Sequence, residues 1–182
     1  AQRVISLAPS NTEILFALGA GSQIVGRDSF SDYPEEAKSL LDIGGGFSEL
    51  NVEVILAQKP DLVLASSLTS PEQIDALEKA GLTVFVLTNP KDFNGLYENL
   101  RLVARLTGRQ VEAEALVTQL EQRVAAVESK LSDVTDHPLV FYELDGTEPN
   151  APWTPGPGTF IDTLIRMAGG ENLGARLQSE WV

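Results

Sequence analysis

The segment GRQVEAEALVTQLEQRVAAVESKLSDVTDHP, residues 108–138, contains neither glycine nor proline between Arg109 and His137. Apolar residues recur there at steps of three and four, which is the spacing of one face of an α-helix. This apolar set comprises Val111, Ala115, Leu116, Leu120, Val124, Val127, Leu131 and Val134. A helix of about 25 residues spans roughly 40 Å, which is longer than most globular helices. Two interpretations stay open: a long surface helix on one domain, and a rigid connection between two lobes.

Composition and charge exclude several classes of protein. The 182 residues carry a formal net charge of -13, no cysteine and a single histidine. An acidic surface repels the phosphates of nucleic acids and of anionic lipids, so neither is expected as a partner. Without cysteine there are no disulfides or thiolate metal sites, and one histidine excludes a histidine-rich zinc or manganese site within this chain. We expect no metal site and no cofactor.

Four short apolar runs precede the long helix, and helical segments separate them. The runs are residues 3–8, 23–27, 61–65 and 83–87. Crossovers of this length favour parallel strands in one sheet, with helices on both faces. The sequence therefore predicts an α/β lobe over residues 1–107.

Several helix starts in this lobe carry local signals. Ser10 with Glu13 and Ser70 with Gln73 each have the spacing of a capping box. Asn51 is predicted to cap the helix that ends at Pro60. Pro34 is predicted at the first position of a short helix.

Ligands of parallel sheets gather beyond the carboxyl ends of the strands, so the loops there are the candidate site. In this chain those loops carry aromatic and small polar side chains. The candidate ligand-binding residues of the first lobe are Asp32, Tyr33, Phe47, Ser66, Ser67 and Asn89. Asn11 and Thr12 are assigned to the first helix instead. The glycine-rich residues 43–47 lack the Lys-Ser/Thr ending of a phosphate-binding loop.

The order of strand, turn and helix begins again after the long helix. Residues 139–144, LVFYEL, resemble residues 3–8, and residues 156–173 resemble the turn and helix that begin at Pro9. A loop rich in proline and glycine lies between them and carries Trp153, the candidate ligand-binding residue of this part. One strand and one helix do not bury a core of their own. We therefore expect residues 108–137 to be a linking helix, and residues 138–182 to be the beginning of a second, similar but truncated α/β lobe.

Four segments together carry a resemblance to a known family: RVISLAPSNTEILFALGAG (3–21), IVGRDSFSDYPEEA (24–37), NVEVILAQKPDLVLAS (51–66) and GPGTFIDTLIRMAGGENL (156–173). They resemble the helical-backbone (class III) periplasmic substrate-binding proteins of ABC importers, and most of all those that bind cobalamin. Ferric-siderophore and haem binders share the pattern. The resemblance covers almost the whole chain and does not specify the ligand.

The resemblance implies two α/β lobes joined by the long helix, with a ligand held between them. It implies capture of a ligand and its delivery to a membrane permease that works with ATPase subunits. The expected location is extracytoplasmic, in the periplasm or on the outer face of the membrane as a lipoprotein, and residues 1–182 themselves contain no signal peptide. Family members dock onto arginines of the permease through one acidic residue on each lobe, and Glu72 matches the first-lobe position. Glu72 alternatively serves only the dipole of its own helix.

Cobalamin is the leading ligand expectation, because a corrinoid is large and mostly apolar with amide groups at its edge. A siderophore carries negative charge and usually needs arginines, and the first-lobe loops offer only Arg27, beside Asp28. Haem would need an axial tyrosine or histidine, for which Tyr33 is the first-lobe candidate.

Two other functional classes stay open at this point. An enzyme on the same architecture is one, because the fold alone does not exclude it. The sequence contains no G-x-S-x-G nucleophile motif and no cysteine, so no catalytic residue is expected. The other is a partner-binding module, with a homodimer or domain swap formed through residues 139–182.

Overall fold

The computed structural model describes residues 1–45, 50–148, 150–177 and 179–181. The chain divides into two compact units. The N-terminal unit comprises Ala1–Asn89 and Tyr97–Val117, and the C-terminal unit comprises Pro90–Leu96 and Thr118–Val182. None of the described helices is both long enough and apolar enough to cross a membrane. Phe47, one of the candidate ligand-binding residues, lies outside the described residues.

The N-terminal unit contains a four-stranded parallel sheet. Its strands are β1 (Val4–Ser6), β2 (Ile24–Arg27), β3 (Leu62–Ser66) and β4 (Val84–Leu87). Its helices are α1 (Pro9–Ala17), α2 (Val52–Ala57), α3 (Pro71–Lys79) and most of α4 (Phe93–Thr107), with 3-10 turns at Gly21–Gln23 and Glu35–Ser39. The strand order is β2-β1-β3-β4, and every pair is parallel. The expected α/β fold with a parallel sheet is therefore confirmed.

The core of this unit is built on the two central strands. All five residues of β3 are buried, as expected for an apolar strand that is covered on both faces. Ile5 of β1 and Val63 of β3 pack in one cluster with Ile55 of α2 and Leu77 of α3. This packing holds the carboxyl ends of the strands in place for the loops that follow them.

The helix α5 (Gln110–Leu131) is 22 residues long. The expected apolar face is wrong at its beginning, where Val111 is 83% exposed and Ala113 and Val117 are buried instead. Arg101 of α4 makes a two-point ion pair with Glu114 of α5, at 2.9 and 3.0 Å. Further along, Leu120, Val124 and Val127 line an apolar groove within the C-terminal unit, although Val127 is 48% exposed. The helix ends at Leu131, so Val134, which was expected on the apolar face, lies beyond it and is 40% exposed.

The C-terminal unit has a small sheet of its own. Its elements are β5 (Leu139–Val140), α6 (Phe160–Met167), β6 (Glu171–Asn172) and a 3-10 turn at Leu173–Arg176. Strands β5 and β6 pair in parallel, separately from the four-stranded sheet. The strand predicted over residues 139–144 therefore stops at Val140, and Phe141, Tyr142 and Leu144 are exposed.

The helix starts test the predicted caps. Ser70 and Gln73 form the predicted capping box, and Asn51 accepts a hydrogen bond from the N–H of Val54 at 3.0 Å. The prediction for Ser10 is wrong, because the residue before the helix is Ala8 and α1 begins at Pro9, a position that suits proline. Pro34 precedes the 3-10 turn instead of beginning it.

Candidate functional site

Three loops follow strands of the N-terminal unit and meet at one edge of its sheet. We call residues 28–34, 67–70 and 88–89 the carboxyl-edge loops; they follow β2, β3 and β4. Because all four strands are parallel, these loops lie at the same edge. They contain four of the predicted ligand-binding residues, namely Asp32, Tyr33, Ser67 and Asn89.

Asn11 closes the end of the sheet between β1 and β3. Its side chain is buried, and its amide nitrogen donates to the carbonyls of Leu64 at 3.1 Å and Ala65 at 3.0 Å. The strand order reverses between β1 and β3, which is where open α/β sheets often bind ligands. A protein side chain occupies that place here, so the surface available to a ligand is formed by the loops beyond it.

A buried polar network fixes the loop that follows β2. The hydroxyl of Thr12 lies 2.8 Å from the hydroxyls of both Ser6 and Ser31. Ser31 in turn donates to the buried carboxylate of Asp28, which also accepts the N–H of Phe30 at 2.9 Å. The network ends at Ser31, immediately before Asp32 and Tyr33. It therefore fixes the backbone from which these two exposed side chains extend into solvent.

The predicted residues of the N-terminal unit differ in exposure. Tyr33 is 66% exposed, and Asp32, Ser67 and Asn89 are exposed as well. Ser66 is buried, and its hydroxyl accepts the N–H of Leu68 at 3.2 Å, so it braces the loop after β3. The carboxyl-edge loops therefore present two aromatic rings, those of Phe30 (50% exposed) and Tyr33, and several small polar groups to solvent.

Arg27, the arginine considered for an anionic ligand, is occupied by the protein itself. Its Nη1 donates to the carbonyl of Asp28 at 2.8 Å and lies 3.4 Å from the carboxylate of Asp42. Only 13% of its side chain is exposed. The carboxyl-edge loops themselves contain no lysine or arginine.

Asp42 holds the segment next to these loops, and its ionisation gives a prediction. The N–H of Gly44 holds the pKa of the Asp42 carboxyl below its ordinary value of 3.8; burial opposes this, and Ser29 and Arg27 support it. A carboxyl with a lowered folded-state pKa stabilises the fold above its ordinary pKa, and the stabilisation is lost as the pH falls through the lower value. Asp42→Asn should therefore lower the urea midpoint at about pH 7, and the difference from the parent should shrink below pH 3.8.

The matched control for this prediction is Asp133→Asn, which removes an exposed carboxylate elsewhere in the chain. Its urea midpoint should follow that of the parent across the same pH range. A constant difference between Asp42→Asn and the parent from neutral to acidic pH would contradict the assigned role of the Asp42 charge.

Trp153, the candidate from the C-terminal unit, is 54% exposed. Its backbone is well held, because its N–H donates to Asp145 and its carbonyl accepts the N–H of Leu144, both at 2.8 Å. Two exposed aromatics that the sequence analysis missed as candidates, Phe141 and Tyr142, lie shortly before it in the same unit. The signal for them was the LVFYEL run, which we interpreted as a buried strand.

The described residues contain no group of three or more His, Cys, Asp or Glu side chains that could hold a metal ion.

Glu72, the candidate docking residue, is exposed in the first turn of α3, whose start is fixed by the capping box of Ser70 and Gln73. The site residues thus offer aromatic faces, hydroxyls, amides and carboxylates.

The family model and two curated relatives that match this chain are all described as binding proteins. A family model described as periplasmic binding protein matches residues 4–182. The cobalamin-binding protein of Halobacterium salinarum is 34% identical over 177 residues, which cover 96% of this chain and 46% of that protein. An uncharacterized ABC transporter substrate-binding lipoprotein of Bacillus subtilis is 31% identical over 186 residues, covering 100% of this chain and 58% of the lipoprotein. The chain therefore spans about half the length of these curated relatives.

A solved structure gives the same fold. The apo form of the periplasmic heme-binding protein RhuT from Roseiflexus sp. RS-1 matches with a TM-score of 0.86 and 32% sequence identity. The match covers 100% of this chain and 70% of that chain. The matched family and the relatives just named are described as binding proteins, and none of them is described as an enzyme.

Proposed function

This chain belongs to the periplasmic binding protein family, and we propose that it forms part of the substrate-binding component of an ABC importer. In this role it captures a solute outside the cytoplasm and delivers it to a membrane permease with ATPase subunits. The likeness to a substrate-binding lipoprotein of an ABC transporter supports both the partner and the location. The division into a lobe of residues 1–107, a linking helix of residues 108–137 and the beginning of a second lobe stays a prediction, as does a homodimer.

The ligand we propose is cobalamin. The observation that carries this choice is the 34% identity to a cobalamin-binding protein over 96% of this chain. The loops support it, because a corrinoid with neutral amides needs aromatic surface and hydrogen-bonding groups more than cations. The internal pairing of Arg27 with Asp42 disfavours an anionic siderophore at the carboxyl-edge loops.

We assign the predicted residues complementary roles in this binding. The rings of Tyr33 and Trp153 would cover apolar faces of the ligand, and Phe47 is proposed for the same role. The exposed side chains of Asp32, Ser67 and Asn89 would bind amide groups at its edge, while Ser66 keeps the loop of Ser67 in shape. These roles are proposals that binding measurements on single variants can test.

A second candidate ligand is haem. The likeness to the heme-binding protein RhuT favours it, with 32% identity and a TM-score of 0.86. Tyr33 provides a chemical reason, because its phenol is highly exposed and a tyrosine oxygen can serve as an axial ligand of haem iron.

Calorimetric titration of the full-length protein with cyanocobalamin tests the proposal, and Tyr33→Phe separates the two ligands. With cobalamin as the ligand, we expect micromolar or tighter binding that Tyr33→Phe changes by less than about threefold, since the ring is kept. Haem bound through Tyr33 would instead give a visible absorption spectrum that changes in Tyr33→Phe. Absent cyanocobalamin binding together with tight haem binding would reject the cobalamin proposal.

We propose Glu72 as the docking residue of this chain for the permease. Its carboxylate is exposed in the first turn of α3. The capping box and Pro71 at the helix start hold this turn rigidly, so the charge is presented in a defined place. A rigid exposed carboxylate is suited to an arginine of a partner, with which it forms two parallel hydrogen bonds.

A further inference from the structure

We propose that Asn172 is a positioning residue that, together with Asp162, holds the segment carrying Trp153 in its binding geometry. We call residues 153–158 the Trp153 segment. The positioning follows from the contacts within the C-terminal unit, and its consequence for the ligand rests on the function proposed above. Asn172 belongs to the sequence AGGENL, residues 168–173, to which the proposed function assigns no role.

Asn172 is buried and uses its whole side-chain amide. Its nitrogen donates to the carbonyl of Pro155 at 2.9 Å and to the carboxylate of Asp162 at 3.1 Å. Its side-chain oxygen accepts the N–H of Gly174 at 3.0 Å. A side-chain amide provides both the N–H donors and the oxygen acceptor that these hydrogen bonds need. An aspartate carboxylate has no donor, and a leucine side chain has neither a donor nor an acceptor. Asparagine is therefore suited to link β6 to the Trp153 segment.

Asp162 ties the other end of the same segment. Its carboxylate accepts from Asn172 and, at 3.2 Å, from the N–H of Gly158. Thr159 adds to this, because its hydroxyl donates to the carbonyl of Gly156 at 3.0 Å and accepts the N–H of Asp162 at 3.1 Å. Asp162 is buried, so its hydrogen bonds act in a medium that strengthens them.

Two glycines allow the backbone to approach closely enough for these bonds. A Cβ atom at Gly174 would collide with the carbonyl oxygen of Pro155, the same oxygen that Asn172 binds. A Cβ atom at Gly156 would collide with the backbone of Ser179. The Trp153 segment is thus held between α6, β6 and the chain that follows them.

The arrangement matters for binding because the ring of Trp153 is mostly exposed. Its backbone is fixed on one side by the two hydrogen bonds to residues 144 and 145, and on the other by Pro155. A loop ordered before the ligand arrives loses less conformational freedom on binding than a mobile one. Removing Asn172 takes away the hydrogen bond to Pro155, which is the anchor nearest to Trp153 on its C-terminal side. The two hydrogen bonds of Trp153 itself and the bonds of Gly156 and Gly158 remain.

The proposal is tested with the 19F NMR spectrum of full-length protein labelled with 5-fluorotryptophan, without ligand. The Trp153 resonance is assigned by its loss in Trp153→Phe. We expect Asn172→Ala to shift or broaden it, and Asp162→Asn, which keeps the side-chain volume, to do the same. Calorimetric titration with cyanocobalamin should give a dissociation constant about tenfold higher in both variants.

The matched control is Arg166→Gln. Arg166 pairs with Asp162 at 3.2 Å from an exposed position and makes no hydrogen bond to the Trp153 segment that the structure describes. The Arg166→Gln substitution should leave the Trp153 resonance unchanged. An unchanged resonance in folded Asn172→Ala and Asp162→Asn overturns the proposal, as does an equal change in Arg166→Gln.

The two readouts separate this inference from the proposed function. A changed resonance with unchanged cyanocobalamin affinity supports the positioning role and rejects Trp153 as a ligand contact. If Asn172→Ala does not fold, the isosteric Asp162→Asn variant decides the outcome by the same spectrum.

Discussion

Asn11→Ala is expected to destabilise the N-terminal unit by about 2–3 kcal/mol, through two lost hydrogen bonds and a small cavity. The amide of Asn11 is buried at the end of the sheet and donates to two carbonyls of β3. The Leu64 carbonyl keeps the N–H of Leu7 as a partner, which limits the cost. Urea unfolding followed by far-UV circular dichroism measures the change.

The matched control for this prediction is Asn94→Ala, which removes an exposed amide from the first turn of α4. Surface substitutions of this kind change stability by less than about 0.5 kcal/mol. Equal unfolding midpoints for Asn11→Ala and Asn94→Ala would contradict the role of Asn11 in closing the sheet end. A lower midpoint for Asn11→Ala alone would agree with it.

Glu72→Lys should abolish most uptake of the ligand while leaving its binding to the purified protein unchanged. Reversing the charge places a lysine opposite the arginine that we propose on the permease, and like charges at a docking surface cost several kcal/mol. Expected uptake is at least about tenfold lower in cells that express full-length Glu72→Lys in place of the parent. Uptake of radiolabelled cobalamin and calorimetric binding measure the two effects separately.

Glu78→Lys is the control for this experiment, because it makes the same charge change at an exposed position in the last turn of α3. Uptake with Glu78→Lys should stay close to that of the parent. Normal uptake with Glu72→Lys, or an equal loss with both variants, would remove the specific docking role of Glu72. A loss of ligand affinity in Glu72→Lys would place this residue in ligand binding instead.

Local signals in the sequence predicted local structure well. The capping box of Ser70 and Gln73 and the cap at Asn51 were found from spacing alone, since their partners lie within three residues. Ser10 and Glu13 have the same spacing and form no cap, because Pro9 starts the helix first. The spacing of a capping box thus identifies the region where a helix begins. Neighbouring residues such as Pro9 decide which residue is the first of the helix.

The candidate site was predicted less completely than the fold. The loops after the strands were identified correctly as the carboxyl edge of one sheet, because four parallel strands place them together. The ion pair between Arg27 and Asp42 was not predicted. It bears on the charge of the ligand, because it leaves Arg27 less available to bind an anion. Ser66 looked available in the sequence and is buried as a brace of its loop.

The parallel sheet, the long helix and the family could be predicted from the sequence, because they depend on patterns that repeat or lie close together in the chain. Three features depend on the tertiary structure: which face of α5 is buried, which carbonyls accept hydrogen bonds from the Asn11 amide, and which carbonyl accepts the hydrogen bond from the Asn172 amide. Asn11 binds Leu64, 53 residues away, and Asn172 binds Pro155, 17 residues away. The physical reason is that a hydrogen bond between distant residues depends on packing that brings them together, and a single sequence contains no local pattern for it.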